Sequence, residues 1–196
     1  MRKRIAVVMV ALGMVTVVGA QDETKTEAGL YLGGKLTIFN AKAKLSVSSD
    51  YGSASATGRE NFTGLTAAIG YRVSQQFRCE GEFGYVSKNN VDITTLMGQF
   101  YMDFPIANSP VQPYVNVGFG GVWYEEPFTK VYLDGPLSGA CLNMGAGCAF
   151  KVSERLSIDI AYRYFQTSKL KFDVESVNCD LTLGASMFMM GATYRF

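Results

Sequence analysis

The chain has 196 residues, 18 Lys and Arg against 17 Asp and Glu, 48% hydrophobic and 13% aromatic residues, 21 glycines and 5 prolines. That is one domain's worth of sequence with no basic excess to draw it to nucleic acid. It contains no histidine, which removes Ser/His and Asp/His catalysis outright.

Residues 1–20 read as a secretory signal. Arg2, Lys3 and Arg4 form a positive start, IAVVMVALGMVTVV is the apolar run, and VGA supplies the small residues before a cut expected after Ala20. The run is too short to span a bilayer comfortably. Cleavage leaves 15 basic against 17 acidic residues, a mature net charge of −2. Residues 21–28 are then expected to be a short periplasmic segment, and 29–196 the folded domain.

From residue 29 onward the apolar residues alternate with period two, the spacing of strands and not of helices. In 29–39 Leu30, Leu32, Leu36 and Ile38 oppose Tyr31, Gly33, Lys35 and Thr37. The polar stretch 40–61 is predicted to be a mobile loop. In 63–73 Leu65, Ala67, Ile69 and Tyr71 oppose Thr66, Ala68, Gly70 and Arg72. After the tight connection SQQ, Phe77, Cys79, Phe83 and Tyr85 oppose Arg78, Glu80, Glu82 and Gly84.

The break SKNN leads to a fourth strand, with Leu96, Phe100, Met102 and Phe104 against Met97, Gln99, Tyr101 and Asp103. PIANSPVQP is a proline-bounded turn. The fifth strand sets Val115, Val117, Phe119 and Trp123 against Asn116, Gly118 and Gly120. A loop at 125–136 precedes the sixth, where Leu142, Met144, Ala146, Cys148 and Phe150 share a face. SER turns the chain into the seventh, whose Ile158, Ile160, Tyr162 and Tyr164 oppose Asp159, Ala161 and Arg163. A loop at 166–180 leads to an eighth strand from about Leu181 to Phe196.

Eight strands joined alternately by longer polar loops and short turns make an all-β, eight-stranded antiparallel up-and-down transmembrane β-barrel. In such a barrel lipid touches the apolar face and the lumen holds the polar one. Aromatics near the strand ends fit two interfacial girdles: Tyr71, Phe77, Phe104, Phe150, Tyr194 and Phe196 at the turn side, Tyr85, Trp123 and Tyr164 at the loop side. The lumen of eight strands is narrow enough for side chains to fill. Its expected charges are Lys35, Arg72, Arg78, Arg163 and Arg195 against Glu80, Glu82, Asp103 and Asp159. Buried charge is costly unless paired, so these are expected to form a plug of ion pairs, with Glu80 and Glu82 meeting Arg72 and Arg78. A pore's filter would more naturally carry one sign in excess.

The stretches FRCEGEFGY, MGQFYMDFP, PYVNVGFGGVWY, GAGCAFKVSERLSIDIAYRYF and the closing MGATYRF resemble the small outer-membrane β-barrel family, which includes opacity-type porins and the OmpA-like and OmpX-like barrel domains. The resemblance covers about residues 29–196. It implies a barrel in the outer membrane of a Gram-negative-type bacterium, exported through the general secretory pathway and inserted by the barrel assembly machinery. It also implies that Phe196, with Tyr194 two residues earlier, is the assembly signal. Because the sequence ends at the barrel, a peptidoglycan-binding domain of the OmpA-like kind is not expected. Family members serve as adhesins, envelope-stabilising proteins or weak pores.

The remaining constellations are read as structural. No catalytic, cofactor or metal site is expected. The cysteines, 79, 141, 148 and 179, lack CxxC spacing and histidine partners. Cys79 and Cys148 fall on the lipid face of strands that are not neighbours. Cys141 and Cys179 both lie toward the loop side, where an oxidising compartment permits a disulfide; free thiols are the default. Glycines 118, 120 and 121 are strand glycines, because no helix follows them.

The expectation is therefore a monomeric, surface-exposed structural or adhesion-type envelope protein. Its partners are outer-membrane lipid and lipopolysaccharide, the assembly machinery, and a host or other surface ligand met by the loops, with SVSSDYGSASATG (46–58) the best candidate. A small passive porin and a soluble secreted β-barrel carrier are the alternatives.

Overall fold

A computed structural model of the protein describes residues 28–49, 52–125, 137–174 and 177–196. The signal segment 1–20, most of 21–28 and the loop at 126–136 lie outside the described residues. Among the described residues nine strands run in chain order: β1 (Gly29–Ser49), β2 (Gly52–Arg72), β3 (Phe77–Lys88), β4 (Val91–Asp103), β5 (Val111–Glu125), β6 (Leu137–Lys151), β7 (Leu156–Thr167), β8 (Leu170–Val174) and β9 (Val177–Arg195). β1 to β7 pair antiparallel in chain order, β7 pairs with β9 from Leu156↔Tyr194 to Gln166↔Gly184, and β1 pairs with β9 from Tyr31↔Arg195 to Ser48↔Asn178. The sheet therefore closes into an up-and-down barrel of eight staves, each paired on both sides within the barrel; among the described residues edges remain only above it, on β8 and on residues 52–63 of β2. The ninth strand, β8, is short and pairs only with the upper part of β9, from Leu170↔Leu181 to Val174↔Val177.

Two of the expected loops turn out to be sheet. The polar stretch 40–61 continues β1 and β2 as a paired hairpin as far as Ser49↔Gly52, and β8 with β9 makes a second hairpin within 166–180. Serine, alanine and glycine weaken local strand propensity, but here each residue has a cross-strand partner. Phe39, Ala41 and Ala43 also keep the inward alternation going, while Lys42 and Lys44 are exposed. Pairing and alternation outweigh composition, because β propensity is largely a measure of fit to neighbours.

The turns are explained by local chemistry. At 73–76 the Val73 and Ser74 amides donate to Phe77 O (2.9 and 3.1 Å), and Ser74 Oγ accepts from the Gln76 and Phe77 amides. At 152–155 the pattern recurs with Val152, Ser153, Arg155 and Leu156. The same Val-Ser start in VSQQF and VSERL thus closes two turns at the same end. At the opposite end Asn89 and Asn90 have φ of 52° and 64°. Two successive left-handed residues make the primed turn that matches strand twist, and asparagine tolerates that region better than most side chains.

The exterior is a belt of exposed apolar side chains, with Leu65 68%, Met144 64% and Leu142 62% accessible. The nine girdle aromatics named from the sequence are all on this outer surface. The buried residues point into the lumen, among them seven of the nine expected charges below 6% accessible. Polar inside and apolar outside is the inverse of a water-soluble barrel.

Candidate functional site

The lumen is layered along the barrel axis, and each layer follows from which strand positions face inward. Near the turn end β2 and β3 bring Arg72 directly opposite Arg78. Two like charges there would repel. Asp103 from β4 resolves the conflict, lying 2.9 Å from Arg72 Nη1 and 3.1 Å from Arg78 Nε. Arg78 Nη1 also meets Glu80 at 3.0 Å, and Tyr31 Oη donates to the same Glu80 oxygen at 2.8 Å.

The middle layer is built on Tyr101. Its hydroxyl lies 2.8 Å from Glu80 Oε2 and 3.1 Å from Glu82 Oε1, and it accepts from Arg163 Nη2 at 2.5 Å. Lys35 bridges both glutamates at 2.8 and 2.6 Å. Arg163 grips Glu82 with two parallel bonds of 2.7 and 3.1 Å, the fork geometry a guanidinium suits. Arg78 covers the ring of Tyr101 at 4.0 Å, and Tyr114 packs edge-on to that ring at 5.3 Å. The network spans β1, β3, β4 and β7, so it ties opposite walls of the barrel together.

Seven of the nine lumen charges named from sequence meet in this network. Asp159 is buried too but is held by Tyr114 Oη at 2.8 Å instead of by a cation. Arg195 faces inward at the turn-end mouth and is half-buried; none of these ion pairs reaches it. The pairing also differs in detail from expectation. Arg72 binds Asp103 and neither glutamate, while Glu82 is taken by Lys35 and Arg163. Strand order, invisible in one sequence, decides which inward side chains are within reach.

Sequence reasoning missed the tyrosines. Tyr31, Tyr101 and Tyr114 alternate onto the polar face, and that was the available signal; their hydroxyls carry much of the network. The glycines opposite them are functional in packing. A Cβ on Gly70 would run into the Tyr31 ring, and one on Gly118 into the Gln99 amide. Above the ions lies a neutral layer in which Asn116 Nδ2 donates to Gln99 Oε1 at 3.0 Å and to Asn143 Oδ1 at 3.3 Å. The four cysteines are free; Cys141 and Cys179 are buried, on β6 and β9, which are not neighbours.

Closed topology, an apolar belt and a lumen filled with paired charge describe a membrane barrel, and sequence comparison names its kind. The model of the outer membrane protein beta-barrel domain matches residues 7–196. The chain belongs to that family. No curated protein sequence matches it. Among solved structures, Neisserial surface protein A is similar at 18% identity and TM-score 0.54, over 86% of this chain and 99% of that one. OprG of Pseudomonas aeruginosa is similar at 16% identity and TM-score 0.55, over 86% and 95%. Outer membrane protein H of the same organism is similar at 20% identity and TM-score 0.53, over 86% and 99%. At such identities the likeness is one of fold. This outer-membrane barrel shares its architecture with them, and its site must be read from its own residues.

Proposed function

We propose that this protein is a non-conducting outer-membrane barrel that acts at the cell surface as a structural or adhesion-type envelope protein through its extracellular end. The observation that carries the reading is the mid-lumen network. Lys35, Glu80, Glu82 and Arg163, all nearly inaccessible, link opposite walls around Tyr101 and leave the narrow lumen occupied. Charges of both signs cancel there, so no ion of either sign gains a favourable path.

What remains for function is the loop end. Above the apolar belt of β1, the outward positions change from Leu36 and Ile38 to Asn40, Lys42 and Lys44, with Arg59 opposite Lys42 on β2. The β1–β2 hairpin therefore rises into water on the extracellular side, where it meets lipopolysaccharide and any surface ligand. Insertion relies on the assembly machinery, and the closed sheet supports a monomer, since within the barrel every stave is paired on both sides. A soluble carrier does not suit an exterior on which Leu65 and Phe119 are more than half exposed.

A passive porin is the competing reading. Recordings of the refolded protein in planar bilayers decide between them: a silent membrane is expected, and reproducible open steps would overturn the proposal.

A further inference from the structure

The loop-end half of the lumen contains a cavity of about 290 Å³ that the ion network does not use. Its walls are mainly apolar and come from β1, β2, β3, β4, β5, β7 and β9, with Phe39, Phe62, Val86, Ile93, Phe165 and Leu183 among the lining residues. The space exists because small residues face it. Ala41, Ala43 and Gly58 stand where larger side chains would fill the barrel, and a Cβ at Gly58 would meet nothing within 4 Å. Beneath it a smaller cavity of about 30 Å³, lined in part by Thr37, Met97, Asn143 and Arg163, shares Phe39, Thr95 and Phe165 with it. At its rim Glu60 and Lys88 form a half-exposed ion pair of 2.9 Å, with Lys88 Nζ 5.4 Å from the Phe62 ring.

An apolar void of this kind gives water too few partners to hydrate it. Voids of about 150 Å³ stay dry and take up benzene, and ligand pockets begin at roughly 300 Å³. On its turn-end side lies the ion network of Lys35, Glu82 and Arg163, and Arg59, Glu60 and Lys88 stand at its outer rim.

We infer that this vestibule is a binding site for a small uncharged apolar molecule, about the size of a two-ring aromatic, entering from the extracellular side. The Glu60–Lys88 pair is already neutralised, and Arg59, which also lines the cavity, is exposed to water, so neither offers a buried counter-charge to an ionic ligand. A charged analogue would have to leave water without compensation. The inference does not depend on whether the lower lumen conducts.

The test uses the full-length barrel, methyl-labelled and refolded in detergent, titrated with naphthalene. Saturable chemical-shift changes are expected at Val86, Val91, Ile93 and Leu183, while the lipid-facing methyls of Leu65 and Ile158 report only non-saturating partition into the micelle. Naphthalene-sulfonate should bind at least tenfold more weakly. Gly58→Phe and, as a second filler from the opposite wall of the hairpin, Ala43→Phe should each weaken naphthalene at least tenfold while retaining the folded barrel's heat-modifiable mobility. Vestibule shifts that never saturate, or saturable binding unchanged in both folded variants, would overturn the inference.

Discussion

At the residue scale the protein solves one electrostatic problem. Charges buried in a narrow lumen must be partnered, and here all the pairs but Arg78–Glu80 join different staves. Removing one member of a buried pair leaves the other desolvated, a loss of about 3–5 kcal/mol in comparable cases. Arg163→Met leaves Glu82 with Lys35 alone, so a loss of about 3 kcal/mol is expected in urea unfolding from vesicles. Pairing it with Glu82→Gln should cost clearly less than the two single losses added together. Tyr101→Phe removes a hydroxyl shared among Lys35, Glu80, Glu82 and Arg163. Hydrogen bonds to charged groups are worth about 1.5–3 kcal/mol, and the same assay should register a loss in that range. A Tyr101→Phe barrel as stable as the parent would show that the hydroxyl is a bystander.

At the element scale the turns and the last strand matter most. Asn89 and Asn90 occupy the left-handed region, where an L side chain lacking local hydrogen bonding costs roughly 1–2 kcal/mol per residue. Replacing both with alanine should therefore destabilise the β3–β4 hairpin, whereas Asn90→Gly should be neutral or slightly stabilising; equal stability of all three in urea would refute the argument. The final strand closes the barrel on β1. Phe196 extends just past it, with its amide donating to Leu30 O at 3.3 Å and its ring edge-on to Tyr194 at 5.4 Å. Its side chain is 68% exposed on the outer surface, so it adds little to the packed interior. We expect deletion of Phe196 to lower the amount of barrel in the outer membrane far more than the Asn89/Asn90 changes do, while refolding of the purified protein into detergent stays near normal. Loss of both together would make Phe196 a stability residue and not an assembly signal.

At the scale of the whole molecule the lumen runs from charged, through neutral amides, to apolar between the turn end and the loop end. The plug is the lower part of that gradient, and it can be removed without touching the belt. The triple variant Lys35→Ala, Glu82→Ala, Arg163→Ala should convert a silent barrel into one with small, reproducible conductance steps in planar bilayers. A triple variant that refolds, shows heat-modifiable mobility and stays silent would place the barrier elsewhere, in the layer of Gln99, Asn116 and Asn143.

Much of this was legible in the chain itself. Period-two alternation located all eight staves and the side of each side chain, because a strand's two faces are set by position parity alone. Inversion of the faces followed from the aromatics at strand ends, which fit two interfacial girdles. The hairpin at 40–61 was not legible, since its serine, alanine and glycine residues signal a loop until a partner strand is known. The pairings Arg72–Asp103 and Glu82–Arg163, the central place of Tyr101 and the apolar vestibule were not legible either. Each depends on residues from non-consecutive strands meeting across a lumen. The sequence by itself determined that the chain is a barrel, which residues face inward and that their charges nearly cancel. Only closure of β1 on β9, which sets stave order and stagger, decided which charges meet, which layer they fill and where the interior was left empty.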